Sequence, residues 1–373
     1  MILASLTAKN FRNLQDEPFE FHDGLNVIVG ENGHGKTNLL EAIYVLATTR
    51  SFRTHRTQSL FRFDRETLFI SGVRRADGLD RRFSIGIEAS GVRRRAIRVE
   101  EDQVSISEYV RQLPVIAYSA AQLEIVRGGP DERRRFLDRG IVHLERGYLE
   151  ALTRYQRTLK QRNALLQAIR DGEAGVSTLD PWDREMAEAA AVVVRSRAEY
   201  ATRLAQAFER IVGQHRYHVD DLEITYRPSG FDSEGRPLEG IFADERERQV
   251  RLGHTTFGPH RDDLELRRRG RLASEVLSSG ETKMTVLFLK FAKIGLFEEK
   301  WERPPVFLLD DVDAELDLSI IERLLDFIRG RTQIFTTSAK ESIFDTIDIG
   351  PHLLIRLDNG AVMERKMYGQ SGI

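Results

Sequence analysis

Residues Gly30, Glu31, Asn32, Gly33, His34, Gly35, Lys36 and Thr37 fit the spacing G-x-x-x-x-G-K-[ST], and no other feature of the chain restricts its fold as much. The pattern works only between a buried strand and a helix. The glycines let the backbone curl until successive N–H groups face one centre, and the helix N-terminus adds its positive end. The flanks supply both elements: residues 25–29 (LNVIV) read as a buried strand, and 37–49 carry a helical pattern. Average residue frequencies would produce the bare pattern in roughly one chain per hundred of this length. In such a loop Lys36 reaches the β- and γ-phosphates of a nucleoside triphosphate and Thr37 supplies a hydroxyl to Mg²⁺, with Asn38 next to them on the helix. ATP and Mg²⁺ are the expected cofactors.

A phosphate loop of this kind needs a second strand that ends in carboxylates. Val306-Phe307-Leu308-Leu309-Asp310-Asp311 has that form. Asp310 is expected to hold Mg²⁺ and Asp311 to orient or deprotonate the attacking water, the one catalytic role assigned. Upstream, Leu277-Ser278-Ser279-Gly280-Glu281 precedes a helical stretch bearing Met284, Leu287, Phe288, Phe291 and Ile294. It resembles the signature motif of ABC-type ATPases, in which serine, glycine N–H and helix N-terminus face a nucleotide held by a second protomer. Ser278, Ser279 and Gly280 are therefore candidate nucleotide contacts. The plain alternative is an N-cap, with Ser279 before a helix.

Ala314-Glu315-Leu316-Asp317 stands where such ATPases place a D-loop. Their switch histidine is missing: residues 333–337 are followed by Ser338 and Ala339, so Thr337 or Ser338 substitutes or the role is absent. Asp311 also replaces the usual, longer glutamate. Both departures predict slow hydrolysis.

Organisation and composition then narrow the class. Residues 1–118 alternate short apolar runs with turns, and 119–222 turn helical. Two apolar stripes, Leu152, Tyr155, Leu159, Leu166, Ile169 and Met186, Ala190, Val193, Arg197, Tyr200, Leu204, Ala207, Ile211, flank a loop over 171–183. The expectation is an antiparallel helical pair, each arm under three heptads. Strand character returns over 223–373, with helices over 281–299 and 319–329 and strands over 333–337 and 352–357. The predicted fold is α/β: an ABC-type P-loop ATPase head, halves 1–118 and 223–373, with an inserted mainly helical domain.

No run approaches the 18 or more apolar residues of a bilayer span, and no export leader is evident, so a cytoplasmic protein without membrane contact is expected. The chain has no cysteine, which excludes disulfides, thiol catalysis and cysteine zinc sites. A net charge of −2 over 373 residues argues against a uniformly basic coat and restricts nucleic-acid binding to patches. The patches available are Arg53, His55 and Arg56, then residues 93–95, then Arg133, Arg134 and Arg135; for each, the plainer alternative is a solvated or ion-paired surface.

Four separated segments carry a closer resemblance: LTAKNFRN from Leu6, GPDERRRFLD from Gly129, LKQRNALL from Leu159 and FGPHRDD from Phe257. In that order they are similar to the bacterial RecF family over nearly the whole chain. The resemblance implies an ATP-dependent homodimer that binds gapped DNA or single-strand/duplex junctions and works with RecO and RecR to place the RecA recombinase. It also implies that Arg12 approaches the nucleotide, and Gln122 stands where ABC proteins place a Q-loop Mg²⁺ ligand. Two departures are Ser119-Ala120-Ala121-Gln122-Leu123, where proline and acids are usual, and Glu281-Thr282, where glutamine is usual. Other classes remain open on the motifs alone: a transporter-energising ATPase subunit and a short-armed SMC-like tether.

Overall fold

A computed structural model describes residues 1–54, 56–89, 94–215, 219, 221–230, 238–301, 304–315 and 318–369. The chain divides into two compact units, Met1–Leu123 with Phe297–Ile373, and Glu124–Leu296.

The first unit holds two sheets. One is six-stranded, with Ala361–Tyr368 at an edge, followed by His352–Asp358, Leu25–Val29, Ile334–Ser338, Val306–Leu309 and Val115–Tyr118. All its pairings are parallel except that of the edge strand Ala361–Tyr368. Strands Leu25–Val29, Ile334–Ser338, Val306–Leu309 and Val115–Tyr118 are buried at every residue, which is why none of them shows an alternating pattern and why Val306–Leu309 reads as an unbroken apolar run. The other sheet is antiparallel and alternates buried with exposed positions, as in Thr67–Ala76. Helix Lys36–Thr48 shares one core with both, joining Leu39, Leu40, Ile43 and Leu46 to Leu6, Ile85, Leu308 and Phe335. Each such side chain contributes about 1.5–3 kcal/mol by leaving water.

A polar stitch ties the two sheets. The strand pairing of Ile2–Lys9 shifts register between Leu3 and Ser5. Beside that irregularity the Gln333 side chain accepts from Leu3 N at 2.8 Å and donates to Leu3 O at 2.9 Å and His22 O at 2.8 Å.

In the second unit, helices Tyr148–Arg170 and Asp180–His215 pack against each other. They run 23 and 36 residues, longer than the three heptads expected, because the second continues onto helix Pro130–Leu144 and strand Leu222–Arg227. That strand pairs with Asp263–Arg268 in a three-stranded antiparallel sheet. Residues 223–296, grouped with the ATPase head when read as sequence, thus pack in this unit.

Two buried arginines organise the unit. Arg162 donates to Asp183 at 2.6 Å, Gln249 at 2.6 Å and Thr255 at 2.9 Å. Arg197 donates to Asp138, to Asp262 at 3.1 Å and to the carbonyl of Pro259 at 2.6 Å. Asn163 Oδ1 accepts from the amide and the hydroxyl of Thr255, which links LKQRNALL to the segment entering FGPHRDD. Removing one partner from such buried pairs costs about 3–5 kcal/mol.

Candidate nucleotide site

The phosphate loop sits between strand Leu25–Val29 and helix Lys36–Thr48, whose N-terminus no side chain caps. Two neighbours brace it. Asn359-Gly360 turns the chain between Asp358 and Ala361 with φ of 46° and 82°, the Asn-Gly signature of a tight hairpin. From that turn Gly360 N–H donates to His34 O at 3.0 Å, and a Cβ on Gly360 would stand 1.9 Å from Asn13 O. Gly30 is similarly constrained: a Cβ there would meet Leu357 O at 2.3 Å. His34 points its Nδ1 at Asp358 Oδ1, 3.0 Å away, a bracing role rather than a metal ligand.

The other brace comes from residues 10–15. Asn38 donates to Asn13 Oδ1 at 2.7 Å, and Asn13 donates to Gly33 O at 3.1 Å, so Asn38 reaches the loop through Asn13. Arg12, in left-handed backbone conformation at φ 49°, forms a fork on Glu41 at 2.9 and 3.0 Å. Glu41 is fully buried on the loop's own helix and also accepts from Ser51 and, at 3.4 Å, from Arg53. Arg53 further donates to Asn38 Oδ1 at 2.8 Å. Glu41 and Asn13 escaped the site reading from sequence, and Arg53, read there as part of a DNA-contacting patch, bonds Asn38 and Glu41 on the loop's helix. One signal was present: an acid inside an otherwise apolar helical stripe requires a cationic partner.

Lys36 Nζ donates to the carbonyls of Gly30 and Glu31 at 2.8 and 3.0 Å. Thr37 Oγ1 donates to Asp310 Oδ1 at 2.9 Å, which brings together the hydroxyl and carboxylate expected to share a cation. Thr337 Oγ1 donates to the same oxygen at 2.9 Å and accepts the Asp311 N–H at 2.7 Å. Asp311 itself has φ 54°, a left-handed conformation that this amide bond holds in place. Ser338 instead bonds Lys340 in its own turn, so of the two hydroxyls proposed to replace the switch histidine it is Thr337 that reaches the Asp310 carboxylate and the Asp311 amide.

Burial raises the pKa of Asp310, opposed by its bonds from Thr37 and Thr337, and the neighbouring charge of Asp311 raises it further. A cation beside this carboxylate would offset its desolvation, so the donor set fits Mg²⁺. It is one hydroxyl and one carboxylate oxygen, leaving waters and phosphate oxygens to complete the shell, as Mg²⁺ prefers. Among the described residues no cluster of three or more His, Cys, Asp or Glu forms a separate metal site. Gln122 lies buried in the turn after strand Val115–Tyr118, whose last carbonyl accepts the Asp310 N–H at 3.0 Å.

Ser278, Ser279 and Gly280 lie exposed in the second unit, at the start of helix Ser279–Trp301. The N-cap is Ser278, not Ser279. Its hydroxyl accepts from Glu281 N at 3.2 Å while its own N–H donates to the Glu281 carboxylate at 2.8 Å, a reciprocal capping box. Ser279 is left with its hydroxyl facing outward, accepting from Arg127 at 3.1 Å. Hydrogen bonds from Ser278 and Arg268 hold Glu281 down to a pKa of about 2.

The arginine patches divide. Arg133 forks onto Asp263 at 2.6 and 2.9 Å and so fastens helix Pro130–Leu144 to strand Asp263–Arg268, while Arg134 pairs with Asp131 and Arg135 with Glu132, at 2.5 Å, within the helix itself. Arg56 is exposed. His55, Arg93, Leu316 and Asp317, and the side chains of Arg94 and Glu315, lie outside the described residues. No described helix is long and apolar enough to cross a membrane.

A family model described as RecF/RecN/SMC N terminal domain matches residues 2–354. The DNA replication and repair protein RecF of Geobacter sp. (strain M21) is 33% identical, over 98% of this chain and all of the relative. A solved structure of the recombination mediator protein RecF with ATP, of the RecFOR pathway, superposes with a TM-score of 0.88 at 29% identity, covering 98% of this chain and 97% of that one. An Smc head bound to the C-winged helix domain of ScpA aligns over 100% of this chain and 98% of that one, with a TM-score of 0.55 at 15% identity, a likeness of fold alone.

Proposed function

The chain belongs to the RecF family of DNA replication and repair proteins, and from that premise we propose that it is an ATP-switched DNA-binding protein of replication-gap and recombinational repair. Two copies close around two nucleotides, and slow hydrolysis reopens them. The observation that carries the reading is the Thr37–Asp310–Thr337–Asp311 constellation beside the braced phosphate loop.

In this reading Lys36 leaves the carbonyls of Gly30 and Glu31 for the β- and γ-phosphates, and the loop N–H groups with the helix N-terminus hold the remaining oxygens. Thr37 and Asp310 would hold Mg²⁺, with Gln122 as a further ligand, and an ion so held would supply positive charge to offset that on the transferred phosphoryl group. Asp311 orients the attacking water. Its shorter side chain and the threonine in place of histidine account for slow turnover. Arg12, fixed by Glu41, is the proposed further contact to the nucleotide. Ser278, Ser279 and Gly280 of one copy complete the phosphate shell of the other. Gapped DNA or a single-strand/duplex junction is the substrate surface, and RecO, RecR and functionally RecA are the proposed partners, as the RecFOR pathway of the solved relative suggests.

Sedimentation velocity tests the switch. The wild-type chain is expected to dimerise with Mg-ATP and remain single without nucleotide; Asp311→Asn should accumulate dimer, and Lys36→Ala should bind ATP at least tenfold more weakly and stay single. Absence of an ATP-dependent dimer in both wild type and Asp311→Asn would sink the proposal. DNA-stimulated ATP hydrolysis separates it from a transporter-energising subunit, which should show none.

A further inference from the structure

We propose that Phe63 holds the base of the nucleotide: its ring stacks on the adenine of the ATP whose phosphates lie in the phosphate loop of the same chain. The inference rests on the nucleotide site proposed above and not on the dimer.

Phe63 is 89% exposed, the most exposed large apolar side chain among the described residues. A lone exposed phenylalanine is ordinary, but a fastened turn that holds one out calls for a partner. Residues 62–65 form that turn, closed by the Arg65 N–H donating to Arg62 O at 3.1 Å, with Asp64 at φ 58°. The aromatic neighbours go the other way: Phe11 is fully buried, Phe61 packs against the core, and their backbones bridge. Backbone and side chain both tie the turn to residues 10–16. Arg62 N–H donates to Asn10 O at 2.8 Å and Arg12 N–H to Leu60 O at 2.9 Å. The Arg62 guanidinium donates to Leu14 O and, at 2.7 Å, to Asp16.

Those residues are also the ones that brace the phosphate loop. Asn13 donates to Gly33 O at 3.1 Å and accepts from Asn38 at 2.7 Å, and Leu14, which receives Arg62, is next in the chain. The segment that fixes the loop therefore carries the turn that holds Phe63 out, at the rim of the nucleotide site. A base belongs at the rim, because a ribose and the α-phosphate stand between it and the oxygens that the loop and Lys36 hold. Stacking covers one face of each ring and needs no hydrogen-bond code, so the contact serves the base and none of the phosphates. The turn is tied down before the nucleotide arrives, which leaves little ordering to offset the contact.

The test titrates the full chain with ADP and with inorganic pyrophosphate. ADP carries the base but lacks the terminal phosphate, so the titrations read the single chain. Phe63→Ala should bind ADP about fivefold to a hundredfold more weakly and pyrophosphate as before, and Phe63→Tyr should match the wild type on both. The residue is exposed, so melting temperatures should stay within error. In Phe63→Trp, ADP should quench the added fluorescence and pyrophosphate should not. Wild-type ADP affinity in Phe63→Ala overturns the proposal, whether or not binding of gapped DNA falls with the ring. An equal loss for both ligands, which would make the turn a support of the loop, overturns it too, as does a Phe63→Trp signal that ADP leaves unchanged. A wild-type chain that binds neither ADP nor ATP removes the nucleotide site itself, and the role of Phe63 falls with it.

Discussion

Thr337 occupies the point where the two carboxylates of the site are controlled. Its hydroxyl donates to Asp310 and accepts from the amide of Asp311, so one oxygen fixes both the proposed cation ligand and the backbone that aims the proposed base. Thr337→Val keeps the shape and removes the oxygen. Leaving the Asp311 amide without this partner should destabilise the fold by about 1–3 kcal/mol, measured by denaturant unfolding. Turnover should fall about tenfold with KM nearly unchanged, because Lys36 and the loop still bind nucleotide. Thr337→Ser should restore both. Unchanged turnover in Thr337→Val would remove Thr337 from the switch position. Other single residues resist reading from sequence for a common reason: their partners are distant. Arg12 and Glu41 meet across 29 positions and Gln333 and Leu3 across 330. Lys293 sits buried against the Phe136 ring, where desolvation lowers its pKa to about 7. Along its helix the same lysine reads as an ordinary exposed charge.

At the scale of elements, the start of helix Ser279–Trp301 combines a structural cap with the surface proposed to face a nucleotide. Glu281 serves the cap: it receives the Ser278 N–H and pairs with Arg268, which also pairs with Asp221 at 2.6 Å. Its folded pKa of about 2 lies below the ordinary carboxylate value, so its stabilisation is present above the unfolded pKa near 4.5 and is lost as pH falls toward 2. Glu281→Gln, which installs the residue usual in the family, can still cap but loses the charge. It should cost about 1 kcal/mol at pH 7, and thermal melts should show the gap closing between pH 4.5 and 2. A gap independent of pH would mean that the charge is immaterial. The motif itself was legible because its parts are contiguous: serine, glycine and an apolar helical face within a few turns. The parallel strands were legible for the same reason, as in residues 306–309 and 25–29, where burial on both faces leaves short, mainly apolar runs without alternation. The second unit was less so. Leu222–Arg227 and Asp263–Arg268 become a sheet through pairing across an intervening helical segment, and buried arginines at 162 and 197 interrupt the apolar stripes that mark its helices.

Over the whole molecule, a net charge of −2 makes the proposed DNA binding depend on which arginines remain available. Each phosphate neutralised releases counterions, so the slope of log affinity against log salt is about −0.9 per duplex phosphate contacted. An arginine already engaged with a protein carboxylate contributes little to that slope, and its removal strands the acid instead. Arg133 and Asp263 form such a pair, with side chains only 13% and 21% exposed. Arg56 is exposed, and its backbone carbonyl is anchored by Ser59. The two classes therefore predict opposite signatures in one experiment, binding of gapped DNA with Mg-ATP across a salt series, run beside thermal melts. Arg56→Ala should reduce the slope by about one and leave the melting temperature within error. Arg133→Ala should lower the melting temperature by several degrees, as loss of a part-buried ion pair requires, while the slope stays unchanged. If Arg133→Ala instead flattens the salt dependence with no change in melting, its pairing with Asp263 yields to DNA, and the run at 133–135 is a contact surface rather than a fastening.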